Sequence, residues 1–255
     1  MKSIAERHKY ILDTLSKEGF VRVIDAAKHL DVTTVTIRKD LKILEERGLL
    51  YRTHGSASPV NPHMKDRAVT EKEKLFPEEK TRIAIEAAKL IEDDDYIIIN
   101  SGSTICAFAE HLQAKGRLTV VSASIKATQL LSSKENVNVI QLGGTLRKRS
   151  MSVVGNFAET ILEDIACSKL FLGVDGVDPE FGVTNSNIEE AELNRVMMNS
   201  ALKTIVLCDS SKFGRKGFGK VCSLDKIDVI ITDASVPETI AKDIEELGVE
   251  IIIAK

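Results

Sequence analysis

The sequence predicts an α/β protein in two parts: an N-terminal winged helix-turn-helix, then a mostly parallel, doubly wound α/β domain. Over residues 1–58, runs with helical periodicity end in an extended stretch and a tight turn. From residue 77 onward, near-continuous apolar strands alternate with helical patterns, as in a sheet covered on both faces. Between them Pro59, Pro62 and the polar run Lys65–Lys74 up to Pro77 read as a linker over 59–76.

Composition sets the bounds. The 255 residues are 43% hydrophobic and 29% charged, a globular balance with length for one large domain or two ordinary ones. Apolar runs such as Ile97-Ile98-Ile99 and Ile251-Ile252-Ile253-Ala254 fall far short of the roughly 20 residues of a membrane span. Met1–Lys9 turns polar before an apolar signal core begins, so a cytoplasmic protein with no membrane partner is expected. Cys106, Cys167, Cys208 and Cys222 are scattered, with no Cys-x-x-Cys pair and no nearby histidine. They read as buried thiols rather than zinc ligands or a disulfide framework. Residues 1–58 carry 11 Lys+Arg and 8 Asp+Glu, a net +3, and the remainder 24 and 30, a net −6. A small basic module joined to a larger acidic one implies separate partners.

The elements of the first module follow in order. Ile4, His8, Ile11, Leu12 and Leu15 share one face of a helix that Gly19 stops. After extended Phe20–Val23, the residues Ile24, Ala27 and Leu30 trace the buried face of a short second helix ending near Asp31. Val32-Thr33-Thr34 makes a tight turn in which Thr33 is placed to cap the next helix. That third helix buries Ile37, Leu41 and Leu44 and turns Val35, Lys39 and Lys42 outward, with Arg38 on the flank. Gly48 closes it, and Leu49–Gly55 reads as a strand and tight turn, a wing. The pattern fits a winged helix whose third helix enters the DNA major groove, Val35 suiting a thymine methyl and the cations suiting phosphates. A three-helix protein-interaction domain fits the same periodicity.

The stretch Val32-Thr33-Thr34-Val35-Thr36-Ile37-Arg38-Lys39-Asp40-Leu41, followed by Leu44-Glu45 and Arg52-Thr53-His54-Gly55, closely resembles the DNA-binding signature of the DeoR family of bacterial sugar-metabolism regulators. The sequence departs from the family pattern at Thr33 (usually serine), Lys39 (usually a second arginine) and Ser56 (usually a second glycine). The resemblance implies contacts to double-stranded operator DNA from Thr33, Thr34, Val35, Thr36, Arg38, Lys39 and Lys42, and from Arg52 and His54 of the wing.

In the second module helices are expected at Ile83–Ile91, Ile105–Leu112, Ile125–Leu131 and Pro237–Leu247. Strands are expected at Tyr96–Asn100, Leu118–Val121, Val137–Leu142, Leu170–Val174, Thr204–Cys208, Val229–Thr232 and Glu250–Ile253. Ligands of such sheets bind beyond the C-terminal strand ends, and four of those ends stand out. Asn100-Ser101-Gly102-Ser103-Thr104 joins small hydroxyls, a glycine and a helix N-terminus, which together offer backbone N–H donors to an anion such as phosphate. It matches neither a P-loop nor a dinucleotide turn, so no cofactor and no metal are expected; a hydroxyl-capped turn is the plainer alternative. Gly143-Gly144 lets the chain pass close to a ligand or simply turn. Asp175 and Asp178 follow a strand and suit sugar hydroxyls or turn chemistry. Asp209-Ser210-Ser211-Lys212 brings an acid, two hydroxyls and a cation together.

Ser101–Thr104, Gly143-Gly144, Gly155, Gly182-Val183-Thr184, Asp209–Phe213 and Ile231-Thr232-Asp233 also resemble the successive landmarks of the DeoR effector domain, which in that family is similar to ribose-5-phosphate isomerase and senses phosphorylated sugars. Ser122-Ala123-Ser124 stands where Thr-Asn-Ser is common, and Asn194-Arg195 where Lys-Arg is common. The resemblance implies an effector site at Ser101, Gly102, Ser103, Thr104, Gly143, Gly144, Asp175, Asp209 and Lys212. It implies a homo-oligomeric transcriptional regulator, a repressor, released from its operator by a phosphorylated sugar. The rival is a sugar-phosphate isomerase with Asp175 or Asp209 as general base, against which stands a DNA-binding module that an isomerase does not need.

Overall fold

In a computed structural model the chain forms two compact units, one through Met64 and one from Lys65. The structure describes residues 2–18, 20–47, 49–52, 55–58 and 66–255. The first unit runs α1 (Ile4–Glu18), β1 (Val21–Arg22), α2 (Val23–Leu30), α3 (Thr34–Glu46), β2 (Tyr51–Arg52) and β3 (Ser56–Ser58). Its three strands form an antiparallel sheet in the order β1-β3-β2. Ile11, Leu15, Val23, Leu30, Ile37, Leu41 and Leu44 make one buried cluster.

Two expected core residues lie outside it: Ile4 and Ile24 are exposed. Helix α2 starts at Val23, so residues 23, 26, 27 and 30 face inward and residue 24 turns out. Asp31 then reverses the chain with a φ of 52°, a left-handed conformation that aspartate tolerates better than most residues. The Thr36 N–H donates to Thr33 Oγ1 at 3.2 Å, the cap expected from sequence. Asp40 was not foreseen in the core. It is 2% exposed and accepts from Arg7 Nε at 2.6 Å and Arg7 Nη2 at 2.9 Å, fastening α1 to α3.

The second unit begins with α4 (Val69–Glu73) and α5 (Pro77–Ala88), then β4 (Tyr96–Ile99), α6 (Ser103–His111), β5 (Leu118–Ser122), α7 (Ile125–Leu131) and β6 (Val137–Gln141). There follow β7 (Thr145–Arg147), β8 (Ser152–Val154), α8 (Asn156–Glu163), β9 (Cys167–Gly173), β10 (Gly176–Asp178), β11 (Gly182–Asn185) and α9 (Ile188–Asn199). The chain ends with β12 (Ala201–Leu207), β13 (Gly219–Cys222), β14 (Val229–Asp233), α10 (Glu238–Glu245) and β15 (Glu250–Ala254). Seven strands form the main sheet in the order β15-β14-β12-β9-β4-β5-β6, and every neighbouring pair is parallel. Residues of α5, α6 and α7 share a core with one face of this sheet, where Phe108 stacks on Phe171 at 4.5 Å. Among the described residues no helix is long and apolar enough to cross a membrane, and all four cysteines are buried thiols.

Strand order positions the site. Because β4, β9 and β12 are consecutive neighbours, the loops after Ile99, Gly173 and Leu207 emerge side by side at the C-terminal edge. The strand β6 lies at the sheet's end, separated from β4 by β5. Two antiparallel additions, the hairpin β7-β8 and the sheet β10-β11-β13, escaped prediction because their strands are three or four residues long. Residues 66–76, expected as linker, belong to this unit: α4 forms there, Val69 is buried and its N–H donates to the Arg149 carbonyl at 2.7 Å.

The Arg7–Asp40 pair makes a stability prediction. Asp40→Ala leaves a guanidinium buried without its partner, so the first unit loses about 3 kcal/mol, read as a lowered urea midpoint for its helical signal. A loss under about 1 kcal/mol, the range of a surface pair, would mean that the two side chains are not buried together.

Candidate functional site

The first unit presents a compact outward face on α3. Val35, Arg38, Lys39 and Lys42 are exposed, as the helical phase requires once Ile37, Leu41 and Leu44 point inward. Thr33 and Thr36 are engaged in the cap, their hydroxyl oxygens 3.0 Å apart, and Thr34 is half-buried beside them. Lys42 Nζ stands 3.9 Å from exposed Glu46, a pairing too weak to hold it. Arg52 differs from the other cations. Its backbone N–H and Nε donate to the Glu45 carboxylate at 2.9 and 2.6 Å, so it ties the wing to α3, and these bonds hold the Glu45 carboxyl below the usual carboxylate range. His54 lies outside the described residues.

The second unit has a polar pocket at the crest of β4 and β9. Ser101, Gly102, Ser103 and Thr104 line it together with Asp175 and Lys212, so three of the four unusual strand ends converge. Gly102 has a φ of 117°, and no side chain caps the first turn of α6, whereas Ser124 caps α7 and Asn187 caps α9. The first amides of α6 are therefore left to an outside acceptor, with the positive end of the helix dipole behind them.

Asp175 is the pocket's buried acid. One carboxylate oxygen accepts from Lys72 Nζ at 2.7 Å; the other accepts from the Ser186 N–H at 2.9 Å and its hydroxyl at 2.7 Å. Burial alone would push this carboxyl up, but Lys72, Lys212 and the Ser186 N–H outweigh it and hold it down at about 2. Glu190 also lines the pocket and is matched by Arg147 Nη1 at 2.7 Å. Beneath runs a ladder of buried amides. Asn100 Nδ2 donates to the Gly173 carbonyl at 2.9 Å and to Asn194 Oδ1 at 3.3 Å, and Asn194 Nδ2 donates to Asn185 Oδ1 at 2.9 Å.

Three expected residues are not brought to this pocket. Gly143 and Gly144 follow the edge strand β6 and are absent from its lining. Gly144 has a φ of 149°, and a Cβ there would stand 2.6 Å from the Val154 carbonyl oxygen, so its glycine serves the close approach of the β7-β8 hairpin. Asp209 is 1% exposed and also absent from the lining. It caps the turn at Ser210–Lys212 by accepting from the Ser211 N–H at 3.1 Å and from the Ser211 hydroxyl, and it stands 3.9 Å from Lys212 Nζ. Ser122, Ser124 and Asn194 do not line the pocket either; they serve the α7 cap and the amide ladder.

Sequence inspection missed Arg67, Lys72, Ser150, Asn185 and Glu190 among the lining residues. The spacing of Asn187 and Glu190 marks a helix start, and the Glu190 N–H does donate to Asn187 Oδ1 at 3.0 Å. Nothing in the charged run around Lys72 separates a half-buried, paired lysine from a solvated one.

A model of the DeoR-like helix-turn-helix domain matches residues 7–62, and a model of the DeoR C-terminal sensor domain matches residues 76–234. The chain belongs to the DeoR family. The transcriptional regulator GlpR of Haloferax volcanii is 33% identical over 97% of each chain. The lactose phosphotransferase system repressor of Staphylococcus epidermidis is 32% identical over 89% of this chain and 91% of its own. Among solved structures, ribose 5-phosphate isomerase A of Neisseria gonorrhoeae aligns over 53% of each chain at 22% identity, with a TM-score of 0.40.

Proposed function

We propose that this regulator is a cytoplasmic repressor of a sugar-metabolism operon, released from its operator when a phosphorylated sugar or related metabolite fills the crest pocket. The observation that carries the proposal is the meeting of an uncapped helix N-terminus at Ser101–Thr104 with Lys212 from another strand end, in a chain that also has a helix-turn-helix. Backbone amides and an ammonium suit a phosphate. The Staphylococcus relative is named a repressor; repression, not lactose, is carried over here.

On the DNA side, Val35, Arg38, Lys39 and Lys42 form the major-groove face, with Thr33, Thr34 and Thr36 setting the start of the helix. Arg52 orients the wing through Glu45, and His54 is the further contact expected from the sequence. A homo-oligomer places two such helices on half-sites about one turn of DNA apart. Effector and operator then compete through linkage, typically about 1 to 3 kcal/mol.

The isomerase alternative fails on chemistry. A general base works with a pKa near the operating pH, whereas Asp175 is held at about 2 with both oxygens engaged. Glu190 is spent on Arg147 and Asp209 does not line the pocket. The curated relatives are transcriptional regulators rather than enzymes.

Three measurements test these assignments. Lys39→Ala should weaken binding to all DNA sequences by a similar factor and lower the salt slope by about 0.9 for each phosphate left without its cation, while Val35→Ala should relax base preference instead. Wild-type affinity and salt dependence in both would remove α3 from the groove. For the pocket, a thermal-shift screen should single out one sugar phosphate, since ligand at about 100 times its Kd adds roughly 2.7 kcal/mol, and its free sugar should bind about tenfold or more weakly. Lys212→Ala should keep operator affinity and lose the response to that ligand. Equal affinity for sugar and sugar phosphate would refute an anion site at Ser101–Thr104.

A further inference from the structure

The main sheet leaves one strand edge bare. Beside β6 the Leu118 N–H donates to the Asn136 carbonyl, and the Leu142 N–H to the Ser122 carbonyl, both at 2.9 Å. In a parallel ladder alternate residues turn both backbone groups to the same neighbour, so residues 136, 138, 140 and 142 face β5. Val137, Val139 and Gln141 therefore turn their N–H and C=O groups outward, and among the described residues no strand pairs with that side.

Edge strands usually carry a guard: a lysine, a proline, a bulge or a very short length. Val137-Asn138-Val139-Ile140-Gln141 has no charge and no proline, and its register to β5 runs unbroken from Val137 to Gln141. The strand is not covered from the side either. Asn138 and Ile140 are exposed, and with Tyr96, Arg117 and Thr119 they line a cleft to which no described helix contributes. The opposite edge of the sheet differs. There the Glu250 N–H donates to the Asp228 carbonyl at 3.0 Å, so β15 turns only Ile251 and Ile253 outward, between the charged Glu250 and Lys255.

The outward groups of β6 fit one partner in particular, the same strand of a second copy. Across a two-fold axis at Val139 two β6 strands run antiparallel, with Val139 opposite its own counterpart and Val137 opposite the second copy's Gln141. Every outward residue then falls where opposed residues exchange both backbone bonds, and none of the outward groups is left over. On the exposed face Ile140 meets the second copy's Asn138, and an uncharged strand sets no like charges against each other at the axis. Val137 and Val139, half-buried in one copy, lose their remaining exposure to water, which favours association. Pairing of β6 with a second copy's β15 would instead leave both kinds of edge open and run on into a filament, whereas the two-fold pairing closes.

We infer that β6 is a self-association edge, through which two copies of this chain join their main sheets in antiparallel register about Val139. This rests on the homo-oligomer proposed above and names the contact that makes it. The two sheets continue as one, and the two crest pockets open at opposite ends of it.

Sedimentation velocity of the full-length protein in the micromolar range tests this. The wild type should sediment as a dimer or an even multiple of one. Val139→Pro removes the central outward N–H without touching a ladder bond to β5, and Ile140→Lys places the usual guard of an edge on an already exposed position. Each should raise the dimer dissociation constant about tenfold or more. On oxidation Val139→Cys should form an intermolecular disulfide, because bonded opposite residues stand about 5.5 Å apart at Cα, and Ile253→Cys on the other edge should not; the native thiols are buried. If Val139→Pro loses the sensor's thermal transition, Ile140→Lys and the cross-link carry the test. A dimer that no folded variant weakens, or one without a cross-link at 139, overturns the edge and leaves the homo-oligomer standing. A wild type that stays monomeric throughout the micromolar range overturns both.

Discussion

A pair of hydrogen bonds between one side chain and one backbone residue sets the level of the whole crest. The Asn100 amide donates to the Gly173 carbonyl at 2.9 Å and accepts from the Gly173 N–H at 2.7 Å, closing β4 against β9 where both strands end. A Cβ on Gly173 would fall 2.9 Å from the Ser101 carbonyl oxygen and 3.0 Å from Ile105, so the junction requires glycine on one strand and a short amide on the other. From it the Ser101–Thr104 loop and Asp175 leave side by side. Asn194 and Asn185 extend the amide pairing to α9 and β11, and such a buried polar network is costly to leave half-satisfied. The pocket is therefore rigid at its floor.

Its wall on the α4 side is different in kind. The floor rests on backbone-directed amide bonds between buried strands, whereas residues 66–74 are held by Val69 and a handful of ion pairs and carbonyl bonds. Local stability follows the extent of buried packing, so α4 is held less firmly than the strands of the sheet.

The sheet was legible because seven buried parallel strands leave long apolar runs, and the three strand ends that carry the loop, Asp175 and Lys212 could be named from residue type alone. Their convergence could not: strand order makes β4, β9 and β12 neighbours although about 70 residues separate the first two. The same order removes Gly143-Gly144, whose strand lies at the sheet's edge. Asp40 and Lys72 were invisible for a related reason. A charged residue held by one distant partner looks in sequence like any solvated charge, and only Arg7 or Asp175 in place reveals it. Asp209 shows the converse, a polar residue rightly marked as unusual whose task is to cap a turn.

Regulation by an effector requires coupling between the two units. Linkage requires that if an effector weakens operator affinity by some factor, the operator weakens effector affinity by the same factor. Operator binding measured with and without the sugar phosphate found by thermal shift, and sugar-phosphate binding measured with and without operator, should give one common factor of about 5- to 150-fold. A sugar phosphate that saturates the pocket and leaves operator affinity unchanged would contradict the account.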